Sequence, residues 1–157
     1  MAEKEINIRF HEYSSLDELA PADKVLAEEA IKAMQGAYAP YSHFHVGAAV
    51  RLSNGVVVHG ANQENAAFPS GLCAERTAMF AAGAHYPDKD MESIALAGGV
   101  HGRLSKNPAT PCGACRQVMA QYQTKAGKPM SVIMVGDGRI WKFDRVDDIL
   151  PLIFDSI

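Results

Sequence analysis

Two short stretches, Cys73-Ala74-Glu75-Arg76 and Pro111-Cys112-Gly113-Ala114-Cys115, decide how this chain folds. Together they contain all three cysteines of its 157 residues. Each stretch opens an apolar pattern at helical spacing, CAERTAMFAAG and CGACRQVMAQY, so each is predicted to form the first turn of a helix. The free N–H groups and positive partial charge at such a turn lower the pKa of a thiol and favour the thiolate.

The three cysteines predict a zinc site in which Cys73, Cys112 and Cys115 are the ligands. Three protein ligands leave a fourth position for water, which is typical of catalytic rather than structural zinc. Glu75 is then the natural proton carrier. Arg76 follows Cys73 by three residues and is predicted to donate to sulfur, which offsets the negative charge of the thiolates.

Two other interpretations of the cysteines stay open. Any one of them, taken alone, could be a buried reduced thiol that packs as a small hydrophobic residue. The C-x-x-C pair, Cys112 and Cys115, could also be a redox pair. An odd number of cysteines without an export signal argues against a disulfide framework.

The segments CAERTA, residues 73–78, and PCGACRQ, residues 111–117, resemble the zinc motifs of cytidine deaminases of the small, three-cysteine, homotetrameric type. The resemblance extends from about Lys24 to Phe154. It implies a zinc-dependent enzyme that hydrolyses cytidine and deoxycytidine to uridine and deoxyuridine with release of ammonia, as in pyrimidine salvage. It also implies a homotetramer with shared active sites.

The same resemblance implies the residues that contact the nucleoside. Phe44 is expected against the pyrimidine ring, and the Ala74 N–H is expected to orient the base through O2. Asn62 and Glu64, two apart on an extended segment, share a face and are expected to bind the sugar 3′-hydroxyl. Phe154, near the C-terminus, is expected to complete the active site of a neighbouring subunit.

The sequence departs from the family pattern at two places. Phe68 stands where many members have a tyrosine, so a polar contact near the 5′ end of the nucleoside is lost. The connection Gly98–Thr110 is longer than expected and has no assigned role. His85 and His101 are expected to be solvated, since the metal already has its ligands.

Composition limits the class of protein. The chain is 48% hydrophobic with a net charge of −3, which predicts one domain, residues 1–157, and argues against a nucleic-acid partner. Within it we expect an N-terminal arm, residues 1–22, and a catalytic core, residues 23–154. The sequence has neither a membrane-length apolar run nor a secretory signal, so no membrane partner and a cytoplasmic location are expected.

Hydrophobic patterning predicts an α/β fold, a three-layer α/β/α sandwich with a mixed five-stranded sheet. Residues 10–15, FHEYSS, could be a short strand or a loose arm. Besides the two cysteine-led helices, the expected elements are a helix Lys24–Gln35, strands Val46–Leu52, Val56–Gly60, Ser93–Ala97, Met130–Val135 and Arg139–Phe143, and a short final helix Asp144–Leu150.

Three other functions remain open at this stage. The substrate could be another small cytosine-containing compound, such as blasticidin S. The domain could instead hold a structural zinc and bind a partner, although Glu75 beside an open metal position argues against this. Related enzymes edit nucleic acids, but that activity needs a basic channel and stacking aromatic residues, and this acidic chain shows neither.

Overall fold

The computed structural model describes residues 1–155. The helices of this part of the chain are α1 Pro21–Ala33, α2 Ala74–His85 and α3 Gly113–Ala126. The strands are β1 His11–Tyr13, β2 Phe44–Leu52, β3 Val57–Ala61, β4 Met91–Val100, β5 Ser131–Gly136 and β6 Arg139–Phe143. Single turns of 3₁₀ helix lie at 16–18, 34–36, 68–70 and 146–148. No helix of residues 1–155 combines the length and apolar character of a membrane span.

The strands form one mixed sheet in the order β1-β6-β5-β4-β2-β3. Strands β4 and β5 run parallel, and every other neighbouring pair is antiparallel. Side chains of β2 alternate between two buried clusters. Ala48 and Val50 pack with α2 and α3, whereas Ala49 packs with α1 on the opposite face. The predicted three-layer α/β/α sandwich is therefore confirmed.

The sheet has six strands rather than the predicted five. The additional strand, β1, pairs His11, Glu12 and Tyr13 with β6 at the edge of the sheet. Trp141 Nε1 donates to the Glu12 carboxylate at 2.7 Å and holds the two strands together. Three residues are too few for a periodic pattern, so the sequence alone is compatible with either a strand or a loose arm here.

Two predicted helices have different bounds. Helix α1 begins at Pro21 rather than Lys24, because proline fits the first helical position, where no N–H partner is needed. The predicted final helix, residues 144–150, is wrong: the segment makes only the 3₁₀ turn Val146–Asp148. Pro151 follows directly and disfavours a helical conformation at Leu150, which prevents a longer helix.

Strand β4 is longer than the predicted Ser93–Ala97 and includes the first residues of the connection Gly98–Thr110. This extension needs glycine at position 99. A Cβ atom there would lie 1.6 Å from the Arg103 carbonyl oxygen, where the chain folds back on the strand. The connection is therefore partly sheet, and its remaining residues pack against the end of β4.

A second glycine sets the position of α2. A Cβ atom on Gly60 of β3 would lie 2.3 Å from the Ala78 nitrogen and 2.6 Å from the Ala74 oxygen. The backbone of α2 thus rests directly on β3 at its first two turns. This close contact fixes the end of the helix that carries Cys73 and Glu75.

Candidate active site

The cysteines lie at the N-terminal ends of two helices whose starts face each other. Cys73 and Cys112 immediately precede α2 and α3 in extended conformations, and Cys115 lies in the first turn of α3. Arg116 fixes the second segment, since its Nε donates to the Pro111 oxygen and its Nη1 to the Ile149 oxygen, both at 2.9 Å. No role was predicted for Arg116 from the sequence, although its position directly after the C-x-x-C pair was a signal that could have indicated one.

The three sulfur atoms form a compact triangle. Cys112 Sγ lies 3.9 Å from Cys73 Sγ and 3.6 Å from Cys115 Sγ, and all three are within 4.8 Å of one another. Sulfur ligands on tetrahedral zinc are roughly 3.8 Å apart, given a Zn–S bond of about 2.3 Å. The donor set and its spacing therefore fit zinc. Within residues 1–155 it is the one group of three or more Cys, His, Asp or Glu side chains arranged for a metal.

Hydrogen bonds at the cysteine triangle favour the thiolate of Cys73. Arg76 Nη2 donates to Cys73 Sγ at 3.6 Å. The pKa of the Cys73 thiol is lowered to about 5, first by a hydrogen bond from Cys115 and further by Arg76 and Cys112. The pKa of Cys115 is raised, first by its hydrogen bond to Cys73 and then by burial. One thiolate is thus already favoured at neutral pH before any metal binds.

Glu75 lies beside the sulfurs and is nearly inaccessible to solvent, with 4% of its surface exposed. Burial raises the pKa of its carboxyl group to about 7, and the negative charge of Cys73 adds to this effect. A carboxyl group with this pKa can both accept and release a proton near neutrality. Strongly shifted pKa values of this kind cluster at functional sites.

A small cavity of about 180 Å³ opens onto Glu75 and the cysteines. Its lining residues are Phe44, Val46, Asn62, Cys73, Ala74, Glu75, Leu96, Ala109, Thr110 and Cys112. A second cavity of about 570 Å³ shares Asn62 and Cys73 with the first and is lined further by Tyr41, Glu64 and Phe68. The outer cavity is wider than the inner one, and both combine a mainly apolar lining with a few polar groups.

Asn62 and Glu64, which were expected to contact the sugar, also hold the loop that ends in Phe44. Asn62 Oδ1 accepts from the Val46 N–H, and its Nδ2 donates to the Phe44 oxygen, both at 2.8 Å. Glu64 accepts from the Tyr41 N–H at 2.8 Å and from the Ser42 hydroxyl. Sequence reasoning missed this second role, which depends on contacts between segments that are distant in the chain.

Phe154 lies outside both cavities, unlike the other residues expected to bind substrate. Its backbone is held on α3, because Gln117 Nε2 donates to the Phe154 oxygen at 2.7 Å and Gln117 Oε1 accepts from its N–H at 3.4 Å. Phe154 as a whole is 69% exposed. The segment is therefore anchored while its aromatic side chain projects from the surface.

Comparison with known proteins agrees with this geometry. The family model for the "cytidine and deoxycytidylate deaminase zinc-binding region" matches residues 21–128, more than half of the chain and all three cysteines. The chain belongs to the cytidine deaminase family. The resemblance noted in the sequence is thereby confirmed, and the match begins where α1 begins.

Individual members of the cytidine deaminase family are similar over parts of the chain. A cytidine deaminase of Halalkalibacterium halodurans is 48% identical over 74 residues, which are 47% of this chain and 54% of that protein. One of Sporosarcina psychrophila is 50% identical over 60 residues, 38% of this chain and 43% of that protein. The matched stretches thus span about half the length of these relatives.

Solved structures of cytidine deaminases match over a larger part of the chain. The enzyme of Burkholderia pseudomallei superposes with a TM-score of 0.71 and 41% identity, covering 83% of this chain and 97% of that one. The enzyme of Mycobacterium tuberculosis superposes with a TM-score of 0.66 and 33% identity, and the match covers 84% of this chain and 96% of that one. Nearly the whole of each solved cytidine deaminase therefore has a counterpart in this chain. The residues without a counterpart belong mainly to this chain, which is the longer one.

Proposed function

We propose that this protein catalyses the zinc-dependent hydrolytic deamination of cytidine and deoxycytidine to uridine and deoxyuridine, with release of ammonia. The observation that carries the proposal is the convergence of three sulfurs and one buried carboxyl group at the end of a cavity of nucleobase size. A role in pyrimidine salvage and a cytoplasmic location belong to the same proposal, because the expected substrate is a free nucleoside.

Zinc would be held by Cys73, Cys112 and Cys115, whose sulfurs have the spacing of a tetrahedral set. When bound, Zn²⁺ acts as a Lewis acid that brings the pKa of a water molecule close to 7, so that it can attack a carbon atom at neutral pH. Arg76 offsets part of the negative charge of the three thiolates through its contact with Cys73.

Glu75 is proposed to carry the proton during the reaction. Its carboxylate would take one proton from the attacking water and pass it to N3 of the base, then take the second proton of the same water from the hydroxyl group now on C4 and give it to the departing amine as the C–N bond breaks. Burial at 4% exposure keeps the carboxyl group out of bulk water, and its pKa of about 7 suits both donation and acceptance. The same side chain thus acts first as a base and then as an acid.

The base would be oriented by residues of the inner cavity. Phe44 offers a ring against the pyrimidine, and the first N–H of α2, at Ala74, is available to O2, because the first N–H groups of a helix have no partner within it. Asn62 and Glu64 line the outer cavity, where the sugar would lie. Each still has lone pairs for a sugar hydroxyl beyond the bonds made to the loop.

A homotetramer with shared active sites is part of the proposal. Its support is the position of Phe154, which is anchored through its backbone to Gln117 but exposes its ring away from its own cavities. An exposed aromatic ring held in a fixed place is suited to cover the site of a neighbouring subunit.

The test is turnover, followed by ultraviolet absorbance, on a panel of cytidine, deoxycytidine, cytidine monophosphate, blasticidin S and single-stranded DNA. We expect the two free nucleosides to be converted, with one zinc per chain found by metal analysis. Conversion of blasticidin S alone, or of DNA alone, would contradict the assignment. Bound zinc without turnover of any compound would favour a structural metal site.

A further inference from the structure

The first ten residues of the chain, here called the arm, lie outside the matched family region and expose apolar side chains. Ile6, Ile8 and Phe10 are 57%, 52% and 48% exposed. They alternate with Glu5, Asn7 and Arg9, and this period of two is the pattern of a strand with one apolar and one polar face. The arm therefore has the sequence of a strand, although it has no strand partner among residues 1–155.

The sheet explains why the arm has no partner within its own chain. In the register of β1 with β6, His11 lies opposite Lys142, so that Phe10 falls next to Phe143, the last residue of β6. Their rings stack with centroids 5.1 Å apart. Beyond this point the chain turns away into the 3₁₀ turn Val146–Asp148. In this register β6 has no residue left to pair with those before Phe10.

The arm is complementary to a second copy of itself. If two arms run antiparallel with Asn7 opposite Asn7, Ile6 of one lies opposite Ile8 of the other on the apolar face. On the polar face Glu5 lies opposite Arg9, and this pair occurs twice because of the two-fold axis. Neither Glu5 nor Arg9 forms an ion pair within the described residues, so both charges are available.

We propose that the arm is an interaction surface through which two copies of this chain pair by antiparallel strand addition centred on Asn7. The edge position of β1 supports this, since an edge strand presents unpaired backbone groups to any added strand. The pairing covers the exposed isoleucines and extends the edge of each sheet. It makes no use of the active site and stands independently of the proposed deamination.

Disulfide trapping in the full-length protein tests the register. Opposed residues at the two-fold axis have Cα atoms about 4.5–5.5 Å apart, within the reach of a disulfide, whereas two copies of Ile8 would be about 8 Å apart and outside it. We expect mild oxidation to link two Asn7→Cys chains into a covalent pair. The same treatment should link neither Ile8→Cys chains nor wild-type chains. Absence of the Asn7→Cys link, or faster linking of Ile8→Cys, would overturn the proposal.

Charge exchange tests the pairing itself. In the Asn7→Cys background, Glu5→Arg places two arginines opposite each other, and Arg9→Glu places two glutamates together. Either change should slow the disulfide link about tenfold or more, and the combined Glu5→Arg/Arg9→Glu variant should restore the original rate. Unchanged rates in the single variants, or failure of the combined variant to recover, would show that the link arises from random collision.

Discussion

At the level of single residues, the candidate active site places a carboxyl group and a guanidinium group next to the three cysteine sulfurs. Burial raises the pKa of Glu75 to about 7, while hydrogen bonds lower the pKa of Cys73 to about 5, and Arg76 contacts that sulfur. These opposite shifts of pKa arise within one turn of α2. A carboxyl group and a thiol with displaced pKa values in one cavity are typical of catalysis rather than of packing.

Arg76→Gln should weaken zinc retention by about tenfold or more, because a contact to a metal ligand contributes this much to metal affinity in other sites. The measurement is the rate of zinc loss to a chelating dye at fixed pH. Arg103→Gln removes an exposed arginine from the loop after β4 and is the matched control, for which no change is expected. Equal rates of loss from both variants would refute the role of Arg76.

Asn62→Asp should impair the site through the backbone of Phe44. The new carboxylate can still accept from the Val46 N–H, but it cannot donate to the Phe44 oxygen as Nδ2 does at 2.8 Å. Losing that bond leaves a partly buried acceptor unpaired, at a cost of about 1–3 kcal/mol in unfolding free energy. Urea unfolding and KM for cytidine should both shift; an unchanged KM would mean that Asn62 has only a structural role.

At the level of elements, the helices and strands that have strong local sequence patterns were predicted correctly. The starts of α2 and α3 follow from apolar periodicity directly after Cys73 and Cys112, and the predicted strands Val46–Leu52 and Val56–Gly60 match β2 and β3 to within two residues at each end. Two of the failures have tertiary causes, whereas the wrong final helix and the late start predicted for α1 overlooked the local effects of Pro151 and Pro21. Strand β1 exists because β6 offers it an edge, and Gly99 admits a loop that no local pattern signals.

Gly60→Ala should destabilise the fold, because the added methyl group would meet the α2 backbone 2.3 Å away. Overpacking of this kind costs about 1–3 kcal/mol, and here it would also displace the helix that carries Cys73 and Glu75. Chemical denaturation and zinc content are the measurements. Gly36→Ala is the control, since its Cβ would lie at an ordinary 3.5 Å from Ala61 Cβ. Similar behaviour of the two variants would contradict the close contact.

At the level of the whole molecule, the sequence indicated which residues surround the metal site but could not place the C-terminal segment. Phe44, Asn62, Glu64 and Ala74 line the two cavities around the cysteines, although they come from three separate segments. Phe154 lies outside them. Its expected role needs a neighbouring subunit, so the local sequence around Phe154 could not predict where its ring lies.

Phe154→Ala should raise KM for cytidine about tenfold or more, if its ring covers a neighbouring site. Mixing these chains with Glu75→Gln chains, followed by subunit exchange, should restore part of the activity. In such mixtures a site with intact Glu75 can receive Phe154 from its neighbour. Unchanged activity in samples shown to have exchanged subunits would argue against shared sites.

The central claim is that Glu75 carries the proton at a zinc site made by the three cysteines, and Glu75→Gln tests it most directly. Glutamine matches the shape of the side chain but cannot transfer a proton. The measurement is kcat for cytidine with zinc content determined in the same samples. We predict one zinc per chain in both proteins and a kcat lowered by about a thousandfold or more. A variant that retains zinc and more than about a tenth of the wild-type kcat, a barrier change below ~1.4 kcal/mol, would contradict the claim.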